Sequence, residues 1–135
     1  MTSSELSVDD VVRVSEFRAV LRQFLRRSEQ IARRAGLTPQ RYLLLLMIKG
    51  APDGSEQSTV TELSDRLQLA QSTVTELVSR AEEAGLLGRE QSATDARVAH
   101  LRLTDEGERR LGLAFTNLAS ERADLLDAFR HLGAD

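Results

Sequence analysis

The side chains best suited to chemistry in this chain are short hydroxyls and amides gathered at helix starts, a pattern for holding hydrogen bonds rather than for making or breaking covalent ones. Thr59 and Thr61 open one amphipathic segment, and Gln71, Ser72, Thr73 and Thr75 open the next. Thr38 and Gln40 do the same for an earlier segment. At such positions hydroxyls and free backbone amides match phosphate oxygens, and exposed polar side chains match base edges. Asp95 and Arg97 lie two residues apart in a polar loop, where the carboxylate can orient the guanidinium through a forked ion pair. Arg89 is the remaining candidate for an anionic contact.

Catalysis finds no comparable set. An enzyme needs convergent acids, bases, nucleophiles or a metal, and this chain has no cysteine, one tyrosine and two histidines. His100 and His131 form no ligand-spaced pair, whereas zinc sites take three or four donors, so neither metal nor cofactor is expected. Tyr42 is expected to pack rather than to react. The longest apolar run, Tyr42 to Ile48, is too short to span a bilayer, and Glu5, Asp9 and Asp10 stand where a secretory leader would be basic. A soluble cytoplasmic protein without membrane contact is expected.

The elements that must position these groups follow from periodicity. Val14, Phe17, Leu21, Phe24 and Ile31 recur at three- and four-residue steps, widened by Val11, Val20 and Leu25, which predicts one long helix from about Val8 to Ala35 ended by Gly36. Thr38-Pro39 starts a second helix whose run Tyr42 to Ile48 is apolar nearly all round, as a central buried element would be. Thr59 and Glu62 have capping-box spacing, with Leu63 and Leu67 on the buried face of that helix. After Leu69-Ala70, Val74, Leu77, Val78 and Ala81 set the apolar face of a fourth helix, leaving Gln71, Ser72, Thr73, Thr75, Glu76 and Ser79 opposite. Gly85 ends it. Leu86 to Glu90 and Val98 to Leu103 then read as an antiparallel pair around the polar tip Gln91 to Arg97. Thr104 caps a last helix running to about Leu132, with Arg122 interrupting its apolar seam. The expected class is mostly α (α+β): a winged helix-turn-helix with long N- and C-terminal dimerisation helices, shaped to place one helix in a DNA groove.

These stretches resemble the multiple-antibiotic-resistance-regulator (MarR) family of bacterial transcription regulators. The matching segments are Gly36 to Tyr42, Glu62 to Leu67, Ser72 to Arg80, Glu83 to Arg89, Asp95 to Arg97 and Leu101 to Gly107. The resemblance implies a single domain over residues 1–135, with 8–36 and 105–132 as dimerisation helices and 37–104 as the DNA-binding region. It also implies a homodimer that binds a palindromic operator in double-stranded DNA, acts as a repressor, and responds to a small anionic or phenolic effector. On that basis the candidate DNA contacts are Thr38, Gln40, Thr59, Thr61, Gln71, Ser72, Thr73, Thr75, Arg89, Asp95 and Arg97. The final helix that family members add to the interface is expected to be shortened or missing, because the chain stops at Asp135.

Blander readings exist for each group. Helix-start threonines serve as caps whether or not they touch a ligand. Arg80 pairs with an acid such as Glu76 or Glu83, and Glu76 either accepts from a cytosine amino group or faces away from the duplex. Arg22, Arg26, Arg27, Arg33 and Arg34 form a basic helix face of the solvated kind. Net charge is -3, and residues 59–104 hold five arginines against seven acids, so the expected reading head is not basic. A winged-helix dimer serving as an adaptor for a protein partner is the alternative this balance supports.

Overall fold

The computed structural model describes residues 5–133, so residues 1–4 and 134–135 of the expected 1–135 domain lie outside it. Among the described residues there are six helices and one two-stranded sheet: α1 (Val8–Arg34), α2 (Pro39–Lys49), α3 (Val60–Leu67), α4 (Gln71–Glu83), β1 (Leu87–Gln91), β2 (Ala99–Leu103), α5 (Asp105–Asn117) and α6 (Ala119–Leu132). The class is the one expected from the sequence, mostly helical with a small antiparallel wing. No described helix is long and apolar enough to cross a membrane.

Local signals explain most boundaries. The Ser7 hydroxyl accepts from the Asp10 amide to start α1, and acids at Asp9 and Asp10 with arginines at Arg33 and Arg34 complement the helix dipole at both ends. Thr38 caps α2 by accepting from the Arg41 amide at 3.1 Å, with Pro39 at the first helical position. Gly36 and Gly85 take positive φ (80° and 76°), the left-handed turn that lets the chain leave α1 and α4.

Helix α2 sits at the centre and packs on α1, α3, α4, α5 and β2. Leu44, Leu45 and Ile48 are fully buried there, joined by Leu63 of α3, Val74 and Val78 of α4, Leu86, Leu101 of β2 and Leu118. Tyr42 packs among them, and burial raises its phenol above the ordinary range. Leu43, however, is exposed on the far side, so α2 is not apolar all round to its neighbours.

The C-terminal region departs from the single helix expected over 105–132. It divides at Leu118, whose side chain turns fully into the core at φ -102° and ψ 9°. The interruption therefore lies four residues before Arg122, and Arg122 reaches back across it: its guanidinium donates to the Phe115 carbonyl, which also accepts the Leu118 amide at 3.3 Å, and lies 3.7 Å from the Phe115 ring centroid. The second half of the expected helix is α6, which lies along α1 through an edge-on Phe17–Phe129 pair and an Arg27–Glu121 ion pair of 3.6 Å.

Helix α5 is tied to the α1–α2 turn by a carboxylate clamp. Glu106 accepts from Arg109 at 2.7 Å and Arg110 at 2.6 Å, and Arg110 also donates to the Gly36 carbonyl at 3.0 Å. The hydrogen bonds from Arg109 and Arg110 hold the Glu106 carboxyl at about 2, against an ordinary 4.5. A lowered folded-state value means the clamp stabilises fully above pH 4.5 and is lost as pH falls towards 2. We expect the Glu106 carboxyl carbon to titrate by NMR with a midpoint near 2; a midpoint near 4.5 would show the clamp unformed.

Candidate nucleic-acid interface

The helix-turn-helix is built from α3, a three-residue turn and α4. Thr59 accepts from the Glu62 amide at 3.2 Å while Glu62 accepts from the Thr59 amide at 2.8 Å, so the capping box read in the sequence is formed. Gln68 takes a left-handed conformation at the C-terminus of α3, and the Ser64 hydroxyl donates to the Leu69 carbonyl at 2.6 Å, which holds the turn closed. Helix α4 then starts at Gln71 with no side-chain cap, leaving its first amides open.

The two flanks of α4 differ completely. Val74, Val78 and Ala81 are 0 % exposed, whereas Gln71, Ser72, Thr73, Thr75, Glu76, Ser79 and Arg80 all face solvent. Gln71 donates to the Thr61 hydroxyl at 3.4 Å, linking the starts of α3 and α4. Arg80 is bound to Glu76 at 2.6 Å, the first of its two expected partners.

The wing pairs Leu87 with Leu103 through Gln91 with Ala99. Its first strand begins one residue later than expected because the Leu86 amide and carbonyl are committed elsewhere, to the Ala81 carbonyl at 2.9 Å and the Thr104 amide at 3.0 Å. A further bridge joins Ser58 to Leu101 on the other side of β2, with hydrogen bonds of 3.1 and 2.8 Å. This places the cap of α3 directly against the wing. Nothing in the sequence marks a one-residue bridge.

At the wing tip the Asp95 carboxylate accepts from Arg97 through both oxygens, at 3.2 and 3.4 Å, and from the Arg97 backbone amide at 3.0 Å. Those bonds pull the Asp95 carboxyl below its ordinary range. The Arg97 side chain is nonetheless 91 % exposed. Arg89 is differently placed: its Nε is shared by both oxygens of Glu82 on α4, at 2.9 and 3.0 Å, a partner sequence reasoning did not identify.

The structure therefore gathers most of the candidate residues. Thr59, Thr61, Arg89 and Arg97 line one open cleft of about 480 Å³ between α3 and the wing, and Gln71 adjoins it through Thr61. Ser72, Thr73 and Thr75 continue along exposed α4. Thr38 and Gln40 stand apart at the start of α2, with no hydrogen bond to this group among the described residues. No group of three or more His, Asp or Glu side chains among those residues is arranged to hold a metal ion.

Comparison with known proteins agrees with this architecture. Residues 35–98 match the model of the MarR family. The chain is 28 % identical over 131 residues to the uncharacterized HTH-type transcriptional regulator YsmB of Bacillus subtilis, spanning 96 % of this chain and 85 % of YsmB. It is 36 % identical over 73 residues to the HTH-type transcriptional repressor MdtR of the same organism, spanning 54 % of this chain and 44 % of MdtR. Among solved structures, a MarR variant from E. coli complexed with operator DNA superposes with a TM-score of 0.66 over 90 % of this chain and 84 % of that one, at 17 % identity. At that identity the likeness is one of fold.

Proposed function

Because this chain belongs to the MarR family of winged-helix regulators, we propose that it binds a palindromic operator in double-stranded DNA as a homodimer and represses transcription, acting as a regulator and not as an enzyme. The observation that carries this reading is the bare polar flank of α4, set against an apolar flank in which Val74, Val78 and Ala81 are fully buried and Leu77 partly so. A surface helix whose Ser72, Thr73 and Thr75 have no partner among the described residues, and whose Gln71 touches only the exposed Thr61 hydroxyl, is free to enter a major groove, with Arg97 at the wing tip reaching the adjacent minor groove. Thr38, Gln40, Thr59, Thr61 and Arg89 supply phosphate contacts in the same reading. The operator-bound E. coli relative shares the fold, and MdtR is named a repressor.

Two copies would join through α1, α5 and α6. Val11 and Val14 of α1, Leu113 and Phe115 of α5, and Leu126 and Phe129 of α6 are large apolar side chains left exposed. A small anionic or phenolic effector that loosens the operator complex belongs to the same proposal, as does action in the cytoplasm.

Selection of bound sequences from random duplex DNA tests the function. The expected product is a palindrome with half-sites centred about 10 base pairs apart. Failure to enrich any sequence would favour the adaptor reading, which the internal pairing of Arg80, Arg89 and Arg97 with carboxylates also supports.

A further inference from the structure

All five cations between residues 59 and 104 have acceptors inside the chain. Arg66 donates to the Met47 carbonyl at 2.8 Å and Arg102 to the Ser55 carbonyl at 3.2 Å. Arg89 and Arg97 are held by Glu82 and Asp95. Arg80, the one cation of α4, is held by Glu76 at 2.6 Å. Burial does not impose that last pairing, since the two side chains are 62 % and 63 % exposed. They sit on the polar flank, one helical turn apart, in the row that begins at Ser72. Arg80 uses Oε1 of the carboxylate, and Oε2 has no hydrogen-bond partner among the described residues.

Resting on the DNA-binding reading above, we propose that Glu76 is a specificity-determining residue: it suppresses charge-driven binding to arbitrary duplex and, together with Arg80, selects a C·G base pair. The first part follows from electrostatics. A carboxylate on the groove face repels phosphates of any sequence alike, and a guanidinium neutralised within the protein contributes little to counterion release. Helix α4 thus approaches the duplex without net attraction from its side chains, and affinity must come from correct base contacts.

The second part follows from donor and acceptor order. In the major groove a C·G pair presents the cytosine N4 amino donor beside the guanine O6 and N7 acceptors. Glu76 and Arg80 present the complement, an acceptor oxygen beside guanidinium donors, already oriented by their mutual hydrogen bond. Glu76 would accept from cytosine through Oε2, and Arg80 would donate to guanine through the N–H groups its partner leaves free.

The test compares the wild-type chain with Glu76→Gln, a change of equal size at an exposed position. Each protein is put through selection from random duplex DNA. Affinities are then measured across a salt series for the recovered duplex and for a random-sequence duplex of equal length. Glu76→Gln should bind the random duplex roughly threefold more tightly. The slope of log affinity against log salt should steepen by about one. One position in each half-site should move from C·G towards A·T, because a glutamine amide pairs with adenine N6 and N7. An unchanged base profile, or random-duplex affinity no higher than wild type, would overturn the proposal. A wild-type protein that enriches no sequence would instead defeat the DNA-binding reading, and this proposal with it, which separates the two failures.

Discussion

Gly107→Ala is expected to destabilise the fold by about 2 kcal/mol or more and to lower the thermal midpoint by roughly 5 °C or more, although glycine is ordinarily the poorer helix residue. Gly107 is the third residue of α5, and its amide donates to the capping Thr104 hydroxyl. A methyl group there would stand 2.3 Å from the Leu86 carbonyl oxygen and 3.4 Å from the Leu103 Cβ. The carbonyl cannot retreat cheaply. It accepts the Thr104 amide, the Leu86 amide is bound to Ala81, and the Leu86 side chain is fully buried. Gly112 supplies the contrast within the same helix, since a methyl group there meets nothing within 4 Å. Gly112→Ala should therefore raise stability by about 0.5 to 1 kcal/mol. Thermal unfolding followed by circular dichroism reads both variants, and a Gly107→Ala midpoint at or above wild type would show that α5 is free to slide away from the wing.

Arg97→Ala is expected to weaken binding to the selected operator by about 1 to 3 kcal/mol and to reduce the salt slope by about one. The guanidinium is 91 % exposed, and its forked contact with Asp95 through Nε and Nη2 leaves Nη1 without a partner among the described residues. Stability should hardly change, because an ion pair this exposed is screened by solvent and contributes little. The check is a titration at fixed salt beside a thermal melt. Equal affinity in the variant and the wild type would remove the wing from recognition.

Features encoded by neighbouring residues were readable from the sequence. The Thr59–Glu62 box, the Thr38 and Thr104 caps, the stop at Gly85 and the Asp95–Arg97 fork each span four residues or fewer, and all are formed. Features set by distant contacts were not. Leu118 continues the apolar seam of the last region without a glycine or proline beside it, so nothing local announces the break; its burial in the core creates it. The Arg89–Glu82 contact joins a strand to the preceding helix, and the Ser58–Leu101 bridge spans more than forty residues. Of the candidate interface, the exposed flank of α4 and the Arg80–Glu76 pair were legible from periodicity, whereas the pairing of Arg89 with Glu82 needed three dimensions.

The Ser58–Leu101 bridge also has a mechanical meaning. Because β2 is fastened on one edge to β1 and on the other to the residue preceding the α3 cap, the base of the wing and the front of the helix pair share a single stiff root. Beyond the last rung at Gln91 and Ala99, the tip carrying Arg97 is closed by local hydrogen bonds, from the Ser92 amide to the Val98 carbonyl at 2.9 Å and from the Val98 amide to the Asp95 carbonyl at 3.0 Å. In the proposed operator complex this arrangement would let the tip adjust to the width of a groove while the anchored helix keeps its angle of entry.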